Sequence, residues 1–231
     1  MEILLSGCSG RICRQIAGME REGLHISAGV DREVPEGYSF SAYPSFESIK
    51  ENVDVIIDFS NASNTSALFN YAVRTHTPVV VGTTGQKPED FLLIGRCSYI
   101  IPVFLAVNFS AGYPVLSQSA KLFSLAMDNA DISIHEIHRR EKADAPSGTA
   151  KALQEALQKA FPERRIGVSS SRLGEIKGIH EIRIANGEES VLIRHEILSD
   201  LIFAKNALAA AEFLVRQKPG LYTSVSEGGK S

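Results

Sequence analysis

The chain has 231 residues, with 24 Lys and Arg against 27 Asp and Glu, which gives a formal net charge of -3. This length suffices for one large domain or two small ones, and the charge balance argues against a general nucleic-acid binder. No apolar run approaches the roughly 20 residues needed to cross a bilayer, and the first residues lack a secretory signal pattern. Cys8, Cys13 and Cys97 follow no ligand spacing, so we expect reduced thiols in a cytoplasmic protein.

Short apolar segments alternate with helical segments in the first half of the chain. Near-continuous apolar runs of this kind are typical of parallel strands that are covered on both faces. The sequence predicts strands at 1–6, 24–31, 53–59, 78–81 and 99–107, and helices at 11–20 and 62–75. We therefore expect a Rossmann-like, doubly wound α/β domain with a parallel sheet.

The pattern changes after Asn108, where strands with alternating polarity replace the apolar runs. Two such segments are joined by Asn186-Gly187, a strong signal for a β-hairpin. The sequence predicts helices at 114–127 and 149–161, a strand at 132–138, and an apolar helix at 203–216 that packs on the first domain. We expect an α+β domain with an open, mixed or antiparallel sheet, and we divide the chain into 1–108 with 203–231, and 109–202.

A turn that contains glycines joins the first predicted strand to the first predicted helix. Gly7 and Gly10 would let a pyrophosphate approach the backbone closely, and the helix N-terminus would face its negative charge. Ser9 and Ile12 stand where a G-x-G-x-x-G motif has glycines, so a plain turn before a helix is the alternative. The residues that we expect to contact the cofactor here are Gly7, Cys8, Ser9, Gly10, Arg11 and Ile12.

Asp31 and Arg32 follow the second predicted strand. An acidic side chain at this position can accept hydrogen bonds from the ribose hydroxyls of NADH, whereas Arg32 could pair with the 2′-phosphate of NADPH. A solvated turn is the alternative. The sequence thus predicts a nicotinamide cofactor without choosing between NADH and NADPH.

Other polar or glycine positions also follow predicted parallel strands. In open α/β sheets the ligand crevice lies along the carboxyl ends of the strands. Five positions at one edge are difficult to explain by packing alone, so we expect the cofactor there. They are Gly7, Asp31, Ser60, Gly82-Thr83-Thr84 and Asn108.

The stretch from Glu136 to Thr149 carries the candidate chemistry. Strand alternation puts Glu136 and His138 on one face, and Lys142 follows on the next loop. A histidine is the usual proton donor near neutral pH, while a lysine could hold an anionic substrate or give up a proton. Ser147 and Thr149 lie where a helix begins, and such an end binds carboxylates. The alternative for the charged run 139–142 is solvated surface.

The remaining histidines favour structural roles. His135 and His138 face opposite ways on a strand, and the H-E-x-x-H spacing of a metalloprotease is absent. We therefore predict no metal site. His180 and His195 share the apolar face of the hairpin, where we expect buried structural side chains.

Several motifs together resemble one family, 4-hydroxy-tetrahydrodipicolinate reductase, also called dihydrodipicolinate reductase, of the diaminopimelate and lysine pathway. The resemblance runs nearly end to end, and the string Lys-x-Asp-Ala-Pro-Ser-Gly-Thr at 142–149 is its most specific part. The other matching segments are 7–11, 58–60, 81–85, 107–110, 178–180, His195, 203–204 and 210–211.

This resemblance implies that His138 and Lys142 are the catalytic residues and that Gly148 and Thr149 contact a carboxylate of a small cyclic dicarboxylate. It also implies that 1–108 with 203–231 is the dinucleotide-binding domain. Residues 109–202 would then form the substrate-binding and oligomerisation domain of a homotetramer that acts without nucleic acid or membrane. The loops expected around the nicotinamide are Gly82, Thr83 and Thr84, and Ala106, Val107, Asn108 and Phe109.

Several positions depart from the family pattern, among them Arg139, Asp200 and Asn206. Arg139 stands where a histidine that helps to bind substrate is usual, and we expect Arg139 to bind the substrate there. We expect Ser147 to bind a substrate carboxylate at the helix end, with Gly148 and Thr149. Asp200 and Asn206 replace an arginine and a glycine. We predict NAD(P)H-dependent reduction of 4-hydroxy-tetrahydrodipicolinate to tetrahydrodipicolinate. The alternatives are a reductase of another cyclic imine or carbonyl, and a nucleotide-binding protein with weakened catalysis.

Overall fold

A computed structural model describes residues 1–33 and 37–225. The chain divides into two compact units: unit 1 is Met1–Phe109 with Leu201–Ser231, and unit 2 is Ser110–Asp200. The dinucleotide-binding role expected of the first part and the substrate-binding role expected of the second remain predictions.

The described residues form eleven strands, six α-helices and two short 3₁₀ helices, Phe46–Ser48 and Ala62–Asn64. The strands are β1 (Glu2–Ser6), β2 (His25–Val30), β3 (Ser41–Tyr43), β4 (Val55–Asp58), β5 (Val79–Val81), β6 (Pro102–Leu105), β7 (Asp131–His138), β8 (Ile166–Arg172), β9 (Ile179–Ala185), β10 (Ser190–Glu196) and β11 (Gly220–Tyr222). The helices are α1 (Arg11–Ala17), α2 (Thr65–Thr75), α3 (Pro88–Cys97), α4 (Gly112–Ala126), α5 (Gly148–Ala160) and α6 (Leu201–Leu214).

Unit 1 contains a seven-stranded sheet in the order β11-β6-β5-β4-β1-β2-β3. All its strand pairs are parallel. Apolar clusters cover both faces: one includes Ile3, Ile57 and residues of α1 and α6, and the other includes Leu4, Ile56 and residues of α2 and α3. This arrangement confirms the Rossmann-like, doubly wound class.

Three elements of unit 1 escaped the sequence analysis. Strands β3 and β11 have three residues each, which is too short for a readable period. The third is helix α3, which buries only Ile94 and Cys97, so its apolar stripe is weak.

The strand predicted at 99–107 begins only at Pro102. The chain from Cys97 to Ile101 instead forms hydrogen-bonded turns that end α3.

Unit 2 contains a four-stranded sheet in the order β10-β9-β7-β8. Strand β7 is parallel to β8 and antiparallel to β9, which is antiparallel to β10, so the predicted mixed sheet is confirmed. Side chains from α4 and α5 pack with Ile132, Ile134 and Ile182 in one apolar cluster. Strand β8 was missed because its sequence, IGVSSSR, carries one buried residue and three consecutive serines.

Within 1–33 and 37–225, none of the helices combines the length and the apolar character that a bilayer span requires.

Candidate functional site

The turn between β1 and α1 requires its two glycines. Gly7 has φ of +80°, and a Cβ there would lie 2.7 Å from the carbonyl oxygen of Phe59. Its N–H donates to the carbonyl of Val30 at 2.8 Å, and the N–H of Gly10 donates to the carbonyl of Gly7 at 2.9 Å. Helix α1 then begins at Arg11, after a residue that has no side chain to cap it. The cradle therefore fits a pyrophosphate group.

Asp31 connects this turn to the end of β2. Its Oδ2 accepts hydrogen bonds from the N–H of Ser9 at 3.0 Å and the hydroxyl of Ser9 at 2.5 Å. Its Oδ1 accepts from the N–H of Arg32 at 2.8 Å, and the Arg32 guanidinium donates to Ser63 Oγ at 3.2 Å. A carboxylate and a guanidinium thus lie together beside the glycine turn. Dinucleotide-binding domains use the first kind of group for a ribose hydroxyl and the second for a 2′-phosphate.

A buried carboxylate holds the next two loops along the strand edge. Asp58 accepts hydrogen bonds from the hydroxyls of Ser6 at 2.7 Å and Ser60 at 2.6 Å, and its backbone carbonyl accepts from the N–H of Gly82 at 2.8 Å. Burial raises the pKa of Asp58, and the hydroxyl donors oppose that shift. Thr83 Oγ1 accepts from the N–H of Ser60 at 2.8 Å. These contacts fix the loop that carries Gly82, Thr83 and Thr84.

The loop after β6 is also fixed within unit 1. The N–H of Ala106 donates to Val81 at 3.2 Å, and the ring of Phe109 lies 5.4 Å from that of Phe59. Asn206 donates from Nδ2 to the carbonyl of Phe109 at 2.5 Å. This departure from the family pattern therefore has a structural partner, while Val107 is exposed and Asn108 half-buried.

Cys8 contributes to the turn through its backbone. Its carbonyl accepts a hydrogen bond from the hydroxyl of Tyr38 at 2.9 Å. Burial, followed by the nearby Asp31 charge, raises the pKa of Cys8 to about 11, so the thiol stays protonated at neutral pH. All three cysteines are free and buried.

In unit 2, the face of the sheet that packs against α4 and α5 changes from apolar to polar along the strands. Ile134 and Ile182 pair across β7 and β9 in the apolar part. Two residues further along β7, Glu136 pairs with His180 of β9 and with Ser170 of β8, and His180 pairs with His195 of β10. This row of polar side chains is the candidate chemical site.

His138 is held by Glu136 on the same face of β7. Its Nδ1 is hydrogen-bonded to Oε2 of Glu136, a fully buried carboxylate. Burial lowers the pKa of His138 below its ordinary value, and the Glu136 carboxylate opposes this effect. The other nitrogen, Nε2, lies beside Gly178, where a Cβ would be only 3.0 Å away.

Lys142 lies on the loop after β7, as predicted. Its Nζ pairs with Oδ1 of Asp144 at 2.6 Å, and its side chain is 23% exposed. Burial alone would raise the pKa of Asp144, but Lys142 and the backbone N–H of Gly148 lower it. Asp144 thus connects the lysine to the first turn of α5.

The predicted carboxylate-binding end of α5 begins at Gly148. Ser147 is buried, and its hydroxyl accepts from the N–H of Ala150 at 3.2 Å and contacts His180 Nε2 at 3.3 Å. Its side chain therefore caps the helix, and the substrate contacts predicted for Ser147, Gly148 and Thr149 stay predictions. Arg139 is half-buried, and its carbonyl accepts from the N–H of Lys142 at 3.2 Å.

The other histidines have different surroundings. His180 is 1% exposed, with its ring edge-to-face against that of His138 at 5.3 Å. His195 is half-buried and packs against Gly112 at the start of α4. His135, on the opposite face, contacts Ser169 Oγ at 2.8 Å.

Glu136, His138 and His180 bring ligand-type atoms within 4.8 Å of one another, a grouping that could hold a metal ion. The imidazole of His138 and the Glu136 carboxylate already hydrogen-bond to each other. Because this hydrogen bond explains the cluster, we assign no metal to it, and the absence of a metal stays a prediction.

Two side chains of this cluster had no assigned role in the sequence analysis. Glu136 lies two residues before His138 and could have been found from strand alternation. Arg172, at the end of β8, donates from Nη1 to Glu136 Oε1 at 3.0 Å. No local signal marks Arg172, because the pairing of β7 with β8 brings the two residues together.

Comparison with known proteins gives consistent results. Family models described as dihydrodipicolinate reductase, N-terminus and C-terminus, match residues 1–109 and 112–226. A 4-hydroxy-tetrahydrodipicolinate reductase of Caldanaerobacter subterraneus subsp. tengcongensis is 34% identical over 96% of both chains. One from Bdellovibrio bacteriovorus is 38% identical over 96% of this chain and 93% of its own.

Among solved structures, a dipicolinate-bound dihydrodipicolinate reductase from Paenisporosarcina sp. TG-14 has a TM-score of 0.76 at 18% identity. The match covers 96% of this chain and 97% of that one. At this level of identity the likeness concerns the fold alone.

Proposed function

We propose, from the premise that this chain belongs to the dihydrodipicolinate reductase family, that it reduces 4-hydroxy-tetrahydrodipicolinate to tetrahydrodipicolinate with NAD(P)H. The reaction would serve diaminopimelate and lysine biosynthesis. The observation that carries the proposal is the cluster in unit 2, where Glu136 orients His138, and Asp144 links Lys142 to the first turn of α5. In this proposal the cluster would supply a proton donor, a cation and an anion-binding helix end.

Unit 1 would act as the dinucleotide-binding domain. The fit rests on the cradle at Gly7, which a Cβ would fill, and on Asp31 and Arg32 beside it. When bound, the reduced nicotinamide supplies a hydride. The residues proposed to hold the cofactor are Gly7, Cys8, Ser9, Gly10, Arg11, Ile12, Asp31, Arg32, Gly82, Thr83, Thr84, Ala106, Val107, Asn108 and Phe109.

Unit 2 would bind the cyclic dicarboxylate. One carboxylate would be held by Gly148 and Thr149 at the N-terminus of α5, where it would replace Asp144 at the N–H of Gly148, and the other by Arg139 or Lys142. Ser147 supports this end by capping the helix.

His138 would donate a proton from Nε2, because Nδ1 is occupied by Glu136. The proton would go to the ring carbon that becomes carbanion-like as the conjugated imine is reduced, and Lys142 would orient the substrate and stabilise negative charge. In the overall balance, the 4-hydroxyl group leaves as water to give the conjugated imine, and the ring gains one hydride and one proton.

The test is a coupled assay that generates the substrate enzymatically and follows the loss of nicotinamide absorbance with NADH and with NADPH. We expect turnover, and a His138→Gln variant should be about 10²–10⁴-fold slower. His135→Gln is the matched control, since His135 contacts Ser169 on the opposite face of the same strand. Equal rates for His138→Gln and the unsubstituted protein would contradict the assignment.

The same assay separates the two alternatives. A reductase of another imine or carbonyl would prefer a substrate without two carboxylates. A nucleotide-binding protein with weakened catalysis would bind NADPH without oxidising it.

The assembly and location are also part of the proposal. The face of the unit 2 sheet opposite α4 and α5 carries exposed side chains, among them Leu192 and Arg194. Arg194 pairs with the half-buried Glu181 at 3.0 Å. We propose that this face forms the interface of a cytoplasmic homotetramer. Sedimentation analysis should give four times the mass of one chain, and a monomer would contradict it.

A further inference from the structure

One guanidinium group contacts both halves of the chemical site in unit 2. Arg172 donates from Nη1 to Glu136 Oε1 at 3.0 Å. It also donates from Nε to the backbone carbonyl of Lys142 at 3.2 Å and from Nη2 to that of Asp144 at 2.5 Å. A fourth hydrogen bond, from Nη1 to the carbonyl of Ser171 at 2.7 Å, fixes the group to its own strand. The side chain is only 18% exposed.

These contacts use the planar, forked shape of the guanidinium. Its donors point in fixed directions, so it can bind a carboxylate and two carbonyl groups at once. The ammonium of a lysine is a compact charge that could pair with Glu136 but could not reach all three acceptors.

The two contacted parts of the site are the ones on which catalysis would depend. Glu136 uses its second oxygen, Oε2, to bind Nδ1 of His138. Lys142 and Asp144 are the ends of the short segment whose carbonyl oxygens accept hydrogen bonds from Arg172, and their side chains form an ion pair. A displacement of Arg172 would therefore move the orienting carboxylate and the lysine loop together.

We propose that Arg172 is the positioning residue that fixes His138 and Lys142 relative to each other. It acts through Glu136 on one side and the Lys142–Asp144 backbone on the other. The inference deepens the proposed function and rests on it for the roles of His138 and Lys142. Arg172 itself does not touch the reacting atoms.

The charge of Arg172 provides a readout that a merely structural side chain would not change. The charged or titratable groups around His138 are Glu136 on its own strand, His180 on β9, Arg172 on β8 and Lys142 on the loop. After burial, the positive charges of Lys142 and Arg172 contribute to the lowered pKa of His138, and Glu136 opposes them. Removal of Arg172 should therefore raise this pKa.

The experiment compares Arg172→Met with Arg172→Lys in the full-length protein. In Arg172→Met, we expect kcat to fall about 10²-fold, with a smaller change in KM. The NMR titration midpoint of His138 should move to higher pH. In Arg172→Lys the midpoint should stay closer to that of the unsubstituted protein, because the charge remains, while kcat should still fall because the fork is lost.

Arg164→Met is the matched control. The Arg164 guanidinium also donates to two backbone carbonyls of unit 2, those of Ser124 at 2.7 Å and Met127 at 3.2 Å. This variant should lower stability without moving the His138 midpoint or changing kcat per folded molecule.

A wild-type kcat in Arg172→Met would overturn the proposal, and so would an unchanged His138 midpoint in that variant. The titration needs no turnover. If the unsubstituted protein fails to oxidise NAD(P)H but the midpoint still moves, the proposed function is wrong and the electrostatic contact is supported.

Discussion

Nδ1 of His138 is hydrogen-bonded to Oε2 of Glu136, two residues earlier on the same face of β7. Burial alone would raise the pKa of Glu136, but hydrogen bonds from Ser170, His138 and Arg172 lower it. The carboxylate is therefore ionised at neutral pH and must accept the hydrogen bond, so Nδ1 carries the proton. This relationship leaves Nε2 as the nitrogen that can exchange a proton with a substrate.

The Glu136→Gln variant should lower kcat by about 10²-fold or more, since it removes the charge that favours protonated His138. Glu136 raises the pKa of His138 against the effect of burial, so this pKa should fall further in the variant. A proton donor is active below its pKa, and the decline of kcat on the alkaline side should therefore move to lower pH. The measurement is kcat between pH 5 and 9.

Glu181→Gln provides the control for this prediction. Glu181 lies on the neighbouring strand β9 and pairs with Arg194 at the opposite face of the sheet. This variant should keep the wild-type pH profile. If both variants gave the same profile, Glu136 would not set the protonation of His138.

Gly7→Ala should abolish dinucleotide binding and reduce the free energy of unfolding. Gly7 combines φ of +80° with atoms of Phe59 and Ser60 at 2.7 Å from a Cβ. Gly23 has φ of +77° with no atom within 4 Å of a Cβ, so Gly23→Ala isolates the backbone cost, about 1–2 kcal/mol. Because the chain has no tryptophan, unfolding is followed by circular dichroism and binding by NADPH fluorescence. Equal effects would show that the cradle is not sterically constrained.

Arg32→Ala should weaken NADPH binding and leave NADH binding nearly unchanged. A charge-assisted hydrogen bond contributes about 1.5–3 kcal/mol, which corresponds to roughly 10–100-fold in Kd. The Asp31 carboxylate, which accepts from Ser9 and Arg32 backbone N–H groups, keeps its place in the variant. Fluorescence titration with both cofactors gives the ratio of the two Kd values. Arg96→Ala, an exposed residue of α3, is the charge-matched control.

A parallel loss for NADH and NADPH in Arg32→Ala would contradict the 2′-phosphate assignment. It would indicate that Arg32 supports the turn itself, through its hydrogen bond to Ser63.

The sequence predicted the parts of the fold that have a local signal. The continuous apolar runs of β1, β4 and β5 are buried on both faces, and alternation correctly placed Glu136 and His138 together. It could not find β8, whose strand conformation comes from pairing with β7 rather than from its serines. Arg172 was missed for the same reason, since 36 residues separate it from Glu136. Long-range pairing, not local composition, completes this cluster.

His180 should make the protein less stable in mild acid. Burial, followed by the positive charge of His138, lowers the pKa of His180 to about 3, whereas an unfolded chain has a histidine pKa of about 6.5. Between these values the unfolded state binds more protons, so its population grows as the pH falls from about 6.5 towards 3. One such group contributes at most about 1.4 kcal/mol per pH unit.

The His180→Gln variant should therefore lose less stability than the unsubstituted protein on acidification, even if it is less stable at pH 7.5. Urea unfolding at pH 7.5, 6 and 5 measures the difference, and the gap between the two proteins should narrow as the pH falls. His25→Gln, at an exposed position of β2, is the control. Its free energy of unfolding should differ from that of the unsubstituted protein by the same amount at every pH. A gap for His180→Gln that stays constant from pH 7.5 to 5 would mean that the buried imidazole does not remain neutral in the folded protein.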